Sequence, residues 1–240
     1  MSFPVAILAG GLAKRLRPLT EETPKSLVDV QGEPFIAHQL RLLSSRGIQQ
    51  VVLCVSYLGE MIQEVVGDGG RYGIRVQFSF DGPRLLGTAG AVKKAIPLLG
   101  ESFFVLYGDS YLPCDYLKIQ AAFRACGRLA LMTIFQNDGR WDRSNVEFTD
   151  GKILVYDKKL QSPKMQHIDY GLGVFYQSAF DRVSDNNPYD LAELYQELLK
   201  QDEVGAYEVG ERFYEIGSFA GLEEIRRFIA TQSLSPKGNL

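Results

Sequence analysis

The chain has little cysteine, little histidine and no excess of positive charge. Three cysteines in 240 residues, Cys54, Cys114 and Cys126, make an odd number without paired spacing. That excludes a disulfide scaffold and fits a reducing, cytoplasmic compartment. No zinc-type Cys/His spacing is present. With 26 basic and 29 acidic residues the net charge is -3, so there is no broad basic face for nucleic acid, and any anion site must be local. No apolar run approaches the roughly 18 residues of a membrane span. The opening MSFPVAILAG lacks the basic start and apolar length of a signal peptide, so a soluble, cytoplasmic protein is expected. Repeats with a period of about 20 to 50 residues, coiled-coil heptads and low-complexity tracts are also missing, and no C-terminal hexapeptide β-helix is expected from the pattern of these residues.

What is present is an even supply of core. Hydrophobic residues make up 45% of the chain, enough for one folded unit over residues 1–230 with a polar, flexible tail at 231–240. Pro4 to Ala9 predicts a buried strand stopped by glycine. PFIAHQLRLLSSRG predicts a helix with Pro34 in its first turn and Gly47 at its end. QQVVLCVSY then reads as a strand covered on both faces, which completes a βαβ unit. The alternation continues with a helix at Gly59 to Val66, a strand at Ile74 to Phe80, a helix at Ala89 to Leu99 and the strand FFVLY, which ends in Gly108-Asp109. Such alternation predicts a Rossmann-like, three-layer α/β/α fold with a mostly parallel mixed sheet and a ligand crevice beyond the C-terminal strand ends. From about Leu129 the texture turns to strands (LALMTIF, SNVEF, KILVYDKK, HIDYGLGVFY). These are expected to extend the sheet into a second lobe facing the first, and helices return at Leu191 to Lys200 and Ser218 to Ile229. About 1–112 and about 113–230 are thus two halves of one domain.

The most informative stretch is LAGGLAKRLRPLTEETPKSLV, Leu8 to Val28, at the end of the first strand. Adjacent Gly10 and Gly11 let backbone approach a ligand closely. Lys14, Arg15, Arg17 and Lys25 add positive charge, and a cation about 4 Å from a phosphate oxygen gains roughly 4 kcal/mol at an effective dielectric near 20. A solvated basic loop is the competing reading. Neither G-x-x-x-x-G-K-[ST] nor G-x-G-x-x-G is present.

LAGGLAKRLRPLT followed by PKSL resembles the signature of the sugar-phosphate nucleotidyltransferases, L-A-G-G-x-G-T-R-L-x-P-L-T and P-K-x-L, and the resemblance extends from Phe3 to Ile229. It implies a nucleotide-diphospho-sugar transferase fold and a reaction that joins a nucleoside triphosphate to a sugar 1-phosphate, releasing pyrophosphate. Leu8, Ala9, Gly10 and Gly11 would cradle the nucleotide, while Arg15 and Lys25 act on the reacting phosphates. Asp109, after FFVLYG, would hold Mg2+, with Glu215 of FYEIGS as the second ligand where the family has aspartate. LLGTAGAVKKA resembles the family's G-T-A-G-A segment, which assigns Gly87 and Thr88 to the nucleoside. Thr88 could also cap the helix. Asp81, in the preceding DGP, could accept from guanine N1 and N2, and a hairpin turn explains it equally well. In the second half Lys158 would meet the sugar phosphate and Asp157 a sugar hydroxyl, with Asn145, Asp169 and Gly171 on sugar-contacting strands. His38 and His167 match no catalytic position. Ala13 and Lys14 depart from the family's glycine and threonine.

The partners implied are a nucleoside triphosphate and a sugar 1-phosphate, with a slight lean to GTP and a mannose- or heptose-type sugar, in nucleotide-sugar supply for cell-envelope polysaccharide. UTP, CTP or dTTP, and an inert pyrophosphorylase-like regulatory subunit, are the alternatives, and assembly as a homo-oligomer is open.

Overall fold

The computed structural model describes residues 2–11, 16, 19–160, 162–184 and 187–234. Four parallel strands form the centre of the sheet: β1 (Val5–Leu8), β4 (Gln50–Val55), β5 (Arg75–Phe80) and β6 (Ser102–Tyr107). The chain runs outward from β1 to β4 and β5, then returns with β6 to the opposite side of β1. That reversal is a topological switch point, and it opens a crevice where the strands end at Leu8 and Tyr107. Two short ribbons, β2 (Asp29–Val30) with β3 (Glu33–Pro34) and β7 (Ser110–Tyr111) with β13 (Tyr214–Glu215), lie off this sheet.

The second half continues the same sheet, as expected. β11 (His167–Tyr176) runs antiparallel to β6 on one edge and to β8 (Ala130–Gln136) on the other, and β12 (Val204–Glu208) pairs in parallel with β8. The hairpin of β9 (Val146–Thr149) and β10 (Lys152–Tyr156) joins the beginning of β11 through His167 and Val146. β11 bends in its middle: the register shifts between Asp169 and Gly173, and Gly171 has φ +95. The buried Thr133 hydroxyl donates to the Leu172 carbonyl at 2.5 Å, supporting the chain where the ladder is interrupted.

Six helices cover both faces among the described residues. α1 (Phe35–Ser45), α2 (Gly59–Val66) and α4 (Tyr116–Cys126) pack on the face that presents Val5, Ile7, Leu53 and Leu106. α3 (Gly87–Leu99) and α5 (Leu191–Lys200) pack on the face that presents Ala6, Val52, Phe103 and Val105. Strand residues alternate between two apolar layers, which is why the parallel strands read as unbroken hydrophobic runs. α6 (Phe219–Leu234) closes a smaller cluster with Val30, Phe35 and Ile216. It extends through Thr231 to Leu234, past the start of the expected tail. α4 and β12 are elements that strand-and-helix patterning does not single out. Among the described residues no helix is long and apolar enough to cross a membrane.

Candidate active site

The switch point holds a cavity of about 540 Å³ whose wall contains Leu8, Ala9, Gly10, Gly11, Lys25, Asp81, Gly87, Thr88 and Asp109, so sequence-named residues from five segments meet in one place. Close backbone approach makes this possible. Gly108 N–H donates to the Leu8 carbonyl at 3.0 Å, and a Cβ on Gly108 would collide with that carbonyl. Asp109 is thereby held against the end of β1. Gly10 is fixed from the other side, since the Ser56 hydroxyl donates to its carbonyl at 2.6 Å and a Cβ there would stand 2.8 Å from Ser56 Oγ.

Lys25 lies on a 3-10 turn, Lys25–Leu27, and its Nζ is 2.6 Å from Asp109 Oδ2. Its neighbour Ser26 is a further functional candidate, at the variable position of P-K-x-L, where the motif carries no signal. The residue is 3% exposed, lines the cavity, and its Oγ has no hydrogen-bond partner among the described residues. Cys54, opposite Leu8 and one residue before the end of β4, is also in the wall, but burial pushes its thiol up to about 12, so it stays protonated and poorly nucleophilic. Burial likewise raises the Asp81 carboxyl, opposed by the Leu86 amide and Lys94.

Thr88 does not cap α3. The N-cap is Leu86, and two amides of the first turn, Ala89 N–H and Gly90 N–H, donate to the Tyr189 carbonyl at 2.9 and 3.3 Å. Thr88 Oγ1 instead donates to Asp190 Oδ1 at 2.8 Å. Gly87 has φ +74, and a Cβ there would meet the Tyr189 backbone at 2.5 Å. Asp190 also lines the cavity, and no local pattern singles it out.

A second cluster borders Tyr107. Lys158 Nζ is 3.2 Å from the Tyr107 hydroxyl and 3.6 Å from Asp169 Oδ2, and the Tyr156 hydroxyl donates to that same oxygen at 2.9 Å. Asn145 Oδ1 accepts from Asp169 N–H at 2.8 Å, and Gly171 N–H donates to Asp169 Oδ1 at 3.0 Å. The bend at Gly171 thus aims Asp169 at Lys158. Crowding works against the charge of Lys158, yet the Asp169 carboxylate and the Tyr107 hydroxyl hold its ammonium above the ordinary lysine range. Burial pushes the Tyr107 phenol up to about 12.

Asp157 is engaged by its own turn. Its carboxylate accepts from Leu160 N–H at 2.9 Å and Lys159 N–H at 2.7 Å, which lowers its pKa and makes it a turn former. The acid that faces Lys158 is Asp169. Glu215 is paired in register with Ser110, and Ile216 N–H donates to the Asp109 carbonyl at 2.9 Å. Glu215 itself is not in the cavity wall; Gly217 is. Among the described residues no three His, Cys, Asp or Glu side chains form a metal-binding group. A pair of carboxylates suits Mg2+, which commonly takes one or two protein carboxylates and completes its shell with water and substrate phosphate. Arg15, with Ala13 and Lys14, lies outside the described residues.

With this geometry in place, comparison with known proteins is direct. The chain is 28% identical over 228 residues to the N-acetylmuramate alpha-1-phosphate uridylyltransferase of Neisseria meningitidis, covering 91% of this chain and 94% of that protein. It is 30% identical over 217 residues to the mannose-1-phosphate guanylyltransferase catalytic subunit beta of Xenopus tropicalis; this covers 88% of the chain but only 60% of that longer protein. Among solved structures, HddC from Yersinia pseudotuberculosis complexed with GMP-PN superposes with a TM-score of 0.78, covering 95% of this chain and 99% of that one. At 23% identity that likeness carries the fold. The nucleotidyl transferase family model matches residues 5–232, from the start of β1 into α6, and the chain belongs to that family.

Proposed function

We propose that the protein is a sugar-1-phosphate nucleotidyltransferase. The observation that carries this reading is the contact of Lys25 with Asp109 inside a cavity that also contains the glycine loop, Asp81 and Thr88. A cation, a candidate metal-binding carboxylate and amide-rich backbone converge where two polyanions have to meet. The sugar phosphate oxygen attacks the α-phosphorus of the triphosphate in line, a P–O bond forms, the bond to the β-phosphate bridging oxygen breaks, and pyrophosphate leaves. The attacking phosphate is already ionised near neutral pH, so no general base is required.

Lys25 and Arg15 neutralise phosphate charge, and Gly10 and Gly11 admit the nucleotide backbone to backbone. Lys158, braced by Asp169 and Tyr107, binds the sugar phosphate. Asn145 and Gly171 hold Asp169 in place. Bound at Asp109 and Glu215, Mg2+ would supply charge neutralisation at the transferred phosphate. Asp81, at the nucleoside end, matches the N1–H and N2–H edge of guanine, and GTP with a mannose- or heptose-type sugar 1-phosphate is the pairing favoured.

A pyrophosphate-release screen of the four ribonucleoside triphosphates and dTTP against a panel of sugar 1-phosphates, with magnesium, tests this. Release with one pair supports the reading. Release with none across the panel overturns it, and preference for a pyrimidine triphosphate overturns the guanine assignment alone.

A further inference from the structure

One carboxylate on the cavity wall comes from the far half of the chain. Asp190 is the N-cap of α5, where an aspartate ordinarily accepts a hydrogen bond from its own helix, yet it makes no side-chain cap. Thr88 caps the helix in its place, since its Oγ1 accepts from Leu191 N–H at 2.7 Å and donates to Asp190 Oδ1 at 2.8 Å. The aspartate is thereby turned away from its helix and into the cavity wall. Among the described residues Thr88 is the hydrogen-bond partner of this carboxylate, which leaves Oδ2 and the second acceptor site of Oδ1 open toward the cavity.

The position is set before any substrate arrives. Tyr189 N–H donates to the Leu86 carbonyl at 2.9 Å, and the Tyr189 carbonyl accepts from Ala89 and Gly90, so the residue before Asp190 is stitched to the start of α3. Further along α5, Gln196 Nε2 donates to the Tyr156 carbonyl at 3.0 Å, and the Tyr195 and Tyr156 rings meet edge to face at 5.8 Å. One helix therefore spans from the nucleotide cavity to the strand that leads into Lys158. Its N-terminal end carries Asp190 to the boundary between the two.

The chemistry of the ligand follows from what these groups can do. An ionised carboxylate only accepts, and the Thr88 hydroxyl has already committed its proton to it. The complementary group is a pair of donors about as far apart as two carboxylate oxygens, which the adjacent hydroxyls of a sugar ring provide. The negative charge also repels phosphate from this wall and leaves it to Lys25. We propose that Asp190, positioned by Thr88, recognises the vicinal hydroxyls of a substrate sugar ring, either the ribose or the sugar 1-phosphate. This rests on the nucleotidyltransferase reading above.

The test is steady-state kinetics on the full chain with the substrate pair selected by pyrophosphate release. The wild type, Asp190→Asn and Asp190→Ala are each run with the parent substrates, with 2′- and 3′-deoxy triphosphates and with deoxy sugar 1-phosphates. Loss of a hydrogen bond to a charged group predicts that Asp190→Ala raises KM for one substrate about ten- to a hundredfold, with kcat changed by less than about threefold and Asn intermediate. The deoxy analogue of that substrate should carry the same penalty in the wild type and none further in Asp190→Ala. Which analogue does so identifies the ring. Unchanged KM for both substrates in Asp190→Ala, or a deoxy penalty that persists undiminished in it, overturns the proposal. Should Asp190→Ala fail to fold, wild-type indifference to every deoxy analogue overturns it equally. Turnover by the wild type with no effect at Asp190 sinks this inference alone, whereas absence of any turnover by the wild type sinks the nucleotidyltransferase reading and this inference with it.

Discussion

Lys25 Nζ stands 2.6 Å from Asp109 Oδ2, across 84 residues of chain, and so ties the turn after the opening loop to the end of β6. The contact ranks the two residues differently in stability and in catalysis. As a partly exposed ion pair it contributes little to folding, about 1 kcal/mol or less. In the proposed reaction the same two charged groups would act at the transferred phosphate, where each matters far more.

Asp109→Asn is expected to keep the fold and lose turnover by about a hundred- to a thousandfold, the scale of removing one preorganised electrostatic group. Pyrophosphate release and a thermal melt on the same sample check this. Near-normal product formation at saturating magnesium would contradict the assignment. Glu215→Gln should have the smaller effect, because Glu215 is not part of the cavity wall.

Lys25→Ala should slow turnover more than it weakens nucleotide binding, since its charge is needed where charge shifts during transfer. Comparing the turnover number with a directly titrated Kd separates the two. A Kd effect equal to the whole loss in kcat/KM would reduce Lys25 to a binding residue.

Ser26→Ala tests an unsatisfied hydroxyl. A buried polar group without a partner is unfavourable by about 1 to 3 kcal/mol, so the ligand-free variant should be as stable as the wild type or more so. The stabilisation gained from nucleotide should shrink. Destabilisation of the ligand-free protein in urea would show that Ser26 has a structural partner.

Gly87→Ala forces a side chain into φ +74 and against the Tyr189 backbone. A loss of about 1 to 3 kcal/mol is expected, which at about 2 to 4 °C per kcal/mol for a chain of this size should be plain in a melt. Gly11→Ala is the control: nothing lies within 4 Å of the added Cβ, so stability should hold to within about 0.5 kcal/mol while nucleotide affinity falls.

Alkaline pH should destabilise the protein through the Lys158 cluster. Tyr107 is pushed up to about 12 by burial, and Lys158 is held above the lysine range despite its crowding. Both keep their protons longer folded than unfolded, so their contribution is fully present below the ordinary values near 10 and is lost as pH rises through the folded ones. Urea midpoints from pH 8 to about 12 should fall above about 10, and Tyr107→Phe should flatten that fall. An unchanged slope in the variant would remove Tyr107 from the account.

Much of the fold is legible because buried strands and amphipathic helices leave local periods in the chain. α5 and β11 appear where their patterns place them, and the glycine loop sits at a strand end as its composition requires. β12, with Gly205 and Ala206 in five residues, carries no such pattern and is held by backbone pairing to β8. α4 has helical spacing in its buried Tyr116, Ile119 and Phe123, blurred by the exposed Leu117 between them. In the site, Lys158 is legible from its motif but its acid is not. Asp157 adjoins it in sequence, whereas Asp169 reaches it through a bend in β11 and pairing across two strands. Asp190 and Thr88 are 102 residues apart, and no local pattern joins them.

Two first-turn amides of α3, those of Ala89 and Gly90, are engaged by the Tyr189 carbonyl, and in the proposed reaction this leaves less of that helix start to a phosphate. A helix start with open N–H groups offers a fixed, preorganised attraction to phosphate. With that offer reduced at α3, more of the attraction falls to the glycine-loop amides, to side-chain cations and to dissolved divalent ions, and ionic strength screens the charged members of that set. Nucleotide occupancy in this protein should therefore follow the ionic composition of its surroundings as closely as it follows nucleotide concentration.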